Sequence, residues 1–228
     1  MALSTKDLNT AGGGGLPKTI SPGNHKLKIN SIELEEFSFI SGAYHLILHT
    51  ETEPIQDFEG FMIDKDDESK GRHAGQIGKV KASQYAYADG ETKSGIKIER
   101  DKSLMIFLKT LSNNLGISDW FDNQDNMHET IEDFVDAFNK TAPYKNIYMD
   151  FCIAGKEYIA KTGYTNYDLY LPKSEKGKYS FGDAKAGKVM TYNEDIHLKK
   201  TEVKEVKSFG DDDDLSVPTK TSTDFSLD

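Results

Sequence analysis

His25-Lys26-Leu27-Lys28-Ile29-Asn30-Ser31-Ile32-Glu33-Leu34 decides the fold. Polar and apolar side chains alternate up to Asn30, which is the period of a half-buried strand. Ile32 and Leu34 then continue on the shifted phase, and a phase shift inside a long strand predicts a bulge. A second strand over Ala43–Thr50 places Tyr44, Leu46 and Leu48 on one face and His45, Ile47 and His49 on the other. Phe58–Ile63 reads as a third, and Gln76–Tyr87 with Ser94–Arg100 as two more joined by a turn at Asp89-Gly90. Short strands separated by turn signals predict a small β-barrel rather than βαβ units.

The period then changes to that of helices. Leu104, Phe107, Leu108, Leu111 and Leu115 recur at helical spacing, with Asp101 as the expected N-cap and Gly116 as the stop. Ile131, Phe134, Val135 and Phe138 mark a second helix, entered through Asn126 and Glu129 in the layout of a capping box. Both stripes read as core, and Trp120-Phe121 between them as a staple. Strands resume over Ile147–Ile153, turn at Gly155-Lys156, return over Glu157–Lys161, and come back over Tyr167–Leu171 before Pro172. Ser174–Asp195 reads as a lysine- and glycine-rich loop, and Ile196–Val206 as an edge strand or short helix. The expected class is α+β, mainly β with a two-helix insertion. A flexible lead-in over 1–24 precedes a single domain over 25–207, whose insertion spans about 101–140. The run Gly12–Gly15 has no preceding strand and no following Gly-Lys-Ser/Thr, so it is not a phosphate loop.

Residues 208–228 read as a disordered acidic tail, too poor in apolar residues to offset the entropy of ordering. Asp211, Asp212, Asp213 and Asp214 form an unbroken run, and Phe225 and Leu227 sit among carboxylates near the end, the layout of a hook for other proteins. Of the net charge of −10, six aspartates against Lys220 place −5 in this tail and leave −5 on the body. An acidic body does not coat itself in phosphate through bulk charge, which leaves room only for a local basic groove. A single cysteine, Cys152, excludes an internal disulfide framework and fits a reducing compartment. Met1–Pro17 lacks a leader's apolar core, and no window approaches the length of a membrane span.

Enzyme constellations are weak. His45 and His49 share a strand face about 13 Å apart, too far for one metal. Asp64, Asp66, Asp67 and Glu68 form a local run, more simply a solvated loop than a nuclease's metal cluster. No catalytic residue, metal or cofactor is assigned. Binding features are stronger. Lys79 and Lys81 share a face that, continued regularly, also holds Tyr85 and Tyr87. Arg72 and Lys97 add cations nearby, and Lys161, Tyr164 and Tyr167 form a second cluster. Cations neutralise phosphates and release counterions, and tyrosine rings offer faces to unstacked bases. The competing reading makes Tyr85 and Tyr87 ordinary core residues.

Pro22-Gly23-Asn24-His25, Asp57-Phe58-Glu59-Gly60-Phe61, Gly75–Lys81 and Gly163–Lys173 resemble stretches of the single-stranded DNA-binding proteins of tailed bacteriophages, in particular those of crAss-like phages. The resemblance spans about His25–Lys173, with the tail similar in layout. It implies an oligonucleotide-binding (OB) fold, a five-stranded β-barrel with a helical insertion, and no catalysis. It implies that the groove coats single-stranded DNA without sequence preference during DNA replication or recombination in the bacterial host cytoplasm. The acidic tail would recruit replication or recombination proteins. Family tails often finish on a terminal aromatic, whereas here Ser226-Leu227-Asp228 follows Phe225. Homo-oligomer formation stays open, no membrane partner is expected, and the alternative is a virion or scaffold protein that binds another protein through its tail.

Overall fold

The computed structural model describes residues 16–201, apart from Thr162 and Lys176. The acidic tail, with Asp211–Asp214 and Phe225, lies outside the described residues, as does most of the lead-in. The elements run β1 (Gly23–Glu36), β2 (Tyr44–Thr52), β3 (Phe61–Met62), β4 (Arg72–His73), β5 (Ile77–Lys81), β6 (Gly90–Glu91) and β7 (Lys97–Ile98). Three helices follow, α1 (Arg100–Leu115), α2 (Ser118–Asp122) and α3 (Ile131–Thr141). Then come β8 (Tyr148–Ile159), β9 (Thr165–Tyr170), β10 (Phe181–Gly182), α4 (Glu194–His197) and β11 (Leu198–Lys199). The class is mainly β with inserted helices.

Five strands form a ring. β1 pairs with β2, β2 with β5, β5 with β9, β9 with β8, and β8 returns to β1. Every contact of the ring is antiparallel except β5–β9, which is parallel and short, joining Val80 to Leu169 and Lys81 to Tyr170. β10 and β11 each add a short ladder to β8. The long strand β1 serves two neighbours in succession: Gly23–Lys28 pairs with β8, and Leu27–Glu36 with β2. The bulge expected from the phase shift sits between Ile29 and Ser31, where the register to β2 slips. A bulge bends a strand and increases its twist, which a strand shared by two neighbours in a ring requires.

Beyond Lys28, β1 has no β8 partner. The amide of Asn139 on α3 takes that place: its Oδ1 accepts from Ile32 N at 2.9 Å and its Nδ2 donates to Ile32 O at 2.7 Å. Tyr144 fixes the amide by donating to the same Oδ1 at 2.7 Å. This clip satisfies main-chain groups that would otherwise be buried unpaired. It also sets α3 against β1. One core results, in which Leu27, Ile29, Leu46, Leu48, Val80, Phe151 and Ile153 from the ring meet Leu104, Leu108 and Leu111 of α1 and Phe134 and Phe138 of α3. Trp120 and Phe121 lie on α2, a helix the sequence reading passed over, and staple it to Phe134.

Several boundaries differ from expectation. β8 runs unbroken through Gly155, where a turn was expected. A Cβ there would collide with Pro22, so the glycine serves close approach between segments. Pairing begins before residue 25: Ile77 N donates to Lys18 O and Ile20 N to Ile77 O, both at 2.9 Å, and Ile20 is buried in the core. Gly78 leaves the space that Ile20 fills. Helix α1 starts from Glu99 rather than Asp101. Helix α3 is capped by Thr130, whose Oγ1 accepts from Asp133 N at 3.1 Å, and not by Asn126. The hairpin expected around Asp89-Gly90 lies further on, with β6 and β7 flanking Thr92–Ile96.

Candidate nucleic-acid interface

β5 leaves the ladder after Lys81, so the stripe expected to continue to Tyr87 does not form. Ala82 N still donates to Leu46 O at 2.8 Å, but Ser83 Oγ then accepts from Tyr85 N and turns the chain. Such hydroxyl turns compete with strand pairing. The chain rejoins β2 only at Tyr87, which exchanges two main-chain bonds with Tyr44. The detour reverses the phase. Tyr87 packs against the core, and burial pushes its phenol up to about 12. Tyr85 instead is 73% exposed. One of the two tyrosines is therefore core and the other surface.

Lys79 and Lys81 do share the outer face of β5, opposite His49 and Ile47 of β2. Neither cation is alone. Lys79 Nζ lies 3.5 Å from Glu33 Oε2, and the same oxygen lies 2.6 Å from His49 Nε2. The His49 bond, aided by Lys79, holds the Glu33 carboxyl below its usual range. Lys81 Nζ lies 2.9 Å from Asp168 of β9. The Lys79–Glu33 pair is exposed on both sides and worth about 0–1 kcal/mol, whereas the Lys81 side chain is half-buried in its pair with Asp168.

Below the short β5–β9 contact the two strands part, and the Pro17–Ser21 segment crosses the gap. A cavity of about 400 Å³ remains, lined by Lys79, Tyr158, Asn166 and Tyr167. The β8–β9 loop beside it carries Lys161, which is exposed, and Tyr164, which is 75% exposed. Tyr167 is partly buried against the core and presents only part of its side chain. The structure thus brings Lys79, Tyr167, Lys161 and Tyr164 to one end of the seam, with Lys81 at its middle.

Arg72 and Lys97 do not join this group. Arg72 sits on β4 in the connection before β5, tied to Gly60 O by Nη1 at 3.1 Å. Lys97 lies on the hairpin after β5, 3.4 Å from Glu99. They flank β5 from opposite ends. The Asp64–Glu68 run closes on itself: Asp64 takes Lys70 at 2.6 Å, and Asp67 accepts from Ser69 N. Among the described residues no three His, Cys, Asp or Glu side chains are placed to hold a metal, and no helix is long and apolar enough to cross a membrane. Cys152 is buried, and burial pushes its thiol up to about 11. Its neighbour His197 already accepts from Asn193 N at 2.9 Å through Nδ1, so that nitrogen is not free to take the thiol proton.

The sequence reading missed the β1–β2 loop. Phe39 is 85% exposed there, with Ile40 beside it. Phe37 anchors the loop by packing edge-on against His45 at 5.3 Å. The signal was present as Phe37-Ser38-Phe39-Ile40, a run of large apolar residues in a turn between two strands. No protein-family model, curated protein or solved structure matches the chain.

Proposed function

We propose that the chain binds single-stranded DNA without sequence preference through the outer face of β2 and β5 and the loops at either end of it. The ring has the strand order of an OB barrel, in which the first, second, third, fifth and fourth long strands are neighbours in turn and the helices fall between the third and fourth. In that fold the face of strands two and three, with the 1–2 and 4–5 loops, takes oligonucleotides. Here those strands are β2 and β5, and those loops are residues 37–43 and 160–164.

One observation carries the reading. The three most exposed large apolar side chains among the described residues, Phe39, Tyr164 and Tyr85, stand on those two loops and on the detour that follows β5. Rings held in water around one face suit partners that bring flat, unstacked surfaces, at about 1–3 kcal/mol per base. Lys79, Lys81 and Lys161 supply phosphate contacts. No catalytic residue, metal or cofactor is assigned to this activity. The role is that of a phage coat for DNA strands exposed in replication or recombination, with Asp211–Asp214 and Phe225 engaging partner proteins and competing for the cationic groove.

Fluorescence anisotropy of a labelled oligo-dT tests this. A saturable rise is expected, weakening steeply with salt and weaker for a duplex of equal length. Deleting residues from Asp211 onward should tighten binding at low salt. A flat signal with oligo-dT at low salt would contradict the proposal and favour a structural protein.

A further inference from the structure

A second cleft opens at the other end of the β5–β9 seam. It has a volume of about 420 Å³ and lies between the chain leaving β5, helix α1 and the segment after β9. Tyr170 forms its floor, 6% exposed, while Tyr85 and Tyr179 line it at 73% and 45% exposed. Ile106 projects from α1 into the same cleft, 60% exposed, above the edge-on pair Phe107–Phe181 at 5.7 Å. Among the described residues no carboxylate lines it, and the one charged side chain that does, Lys173, has no acidic partner.

We infer that this cleft seats an unpaired base of the strand lying on the β2–β5 face, with Lys173 at its phosphate. The inference rests on the proposed single-strand binding and extends its path past the face itself. Three features select the occupant. None of Tyr85, Tyr170 and Tyr179 packs ring to ring with another aromatic among the described residues, and Tyr85 and Tyr179 keep exposed ring surface above the buried Tyr170. The only charge lining the cleft among the described residues is positive, which complements a phosphodiester. The cleft also continues the face: Tyr170 is the register partner of Lys81. The volume falls within the usual range for pockets that take small planar ligands.

The test uses the full chain, two lengths of oligo-dT and three variants. A short oligonucleotide of about four residues covers one minimal footprint, and one of about twelve reaches beyond it. Tyr179→Ala and Ile106→Glu alter surface side chains, and thermal melting confirms that each is folded. Each should weaken binding of the long oligonucleotide by about 5- to 100-fold while changing the short one less than about twofold. Lys173→Glu should lower the salt slope for the long oligonucleotide by about one. Unchanged affinity of the variants for the long oligonucleotide would overturn the cleft's role and leave single-strand binding standing. Equal losses on both lengths would overturn the extension. Failure of the unaltered chain to bind either length would overturn the functional reading itself, and this inference with it.

Discussion

The helical insertion and the chain that follows it are opposite in character. Residues 99–141 hold nine carboxylates, four cations and no tyrosine, whereas residues 142–201 hold ten cations, seven carboxylates and eight of the eleven tyrosines. The first contributes stability, through the aromatic pile of Trp120, Phe134 and Phe138, on which Tyr144 of the second region packs edge-on. The second contributes surface, through Tyr158, Tyr164, Tyr179 and lysines outside any ion pair among the described residues. The contrast teaches that a net charge of −10 describes the molecule and not its faces.

Substitutions can break or sharpen this division. The largest effect is expected from Phe138→Ala, which empties a fully buried site. It should lower the unfolding free energy by about 3–5 kcal/mol in a urea titration. Oligo-dT affinity should persist wherever the variant remains folded; lost affinity in the folded variant would join the two regions into one functional unit. Next come Phe39→Ala and Tyr164→Ala, each expected to weaken oligo-dT by about 1–3 kcal/mol with an unchanged melting temperature. Lys161→Glu should lower the salt slope by about one, while Lys102→Glu in the insertion should leave it unchanged.

Thr130→Ala removes the cap of α3 and should cost about 1 kcal/mol of stability without affecting binding. The smallest effect concerns pH. Burial, with Lys81 adding to it against Glu35 and Asp168, pushes His45 below its ordinary 6.5. The unfolded chain therefore takes up that proton first as pH falls. Stability is full above about 6.5 and declines on acidification through the lowered folded value. His45→Leu should flatten that decline in melts across the window, and an unaltered decline would assign it to other groups.

Where local pattern and tertiary environment agreed, the sequence was informative. The bulge in β1 was readable because a two-residue period cannot change phase without an extra residue, and Ile32 marks the change. The faces of β2 were readable for the same reason, as were α1 and α3 from their stripes. Gly155 misled because glycine signals a turn and a close approach alike, and only Pro22 across the gap distinguishes them. Tyr87 misled because alternation was extended through Ser83, whose hydroxyl turn reverses the phase. The seam itself could not be read, since it joins residues far apart in the chain through a parallel contact of two residue pairs. Of the residues singled out, the structure gathers Lys79, Lys161, Tyr164 and Tyr167 at one end of the seam and leaves Arg72 and Lys97 apart from them.

Ultraviolet cross-linking of the full chain to oligo-dT, with adducts mapped by mass spectrometry, tests the central claim most directly. Adducts are expected on the peptides that carry Phe39, Tyr85, Tyr158 and Tyr164, and none on residues 99–141 beyond Ile106 and its neighbours at the cleft. Adducts concentrated on α2 and α3, or none at a saturating concentration of oligonucleotide, would contradict it.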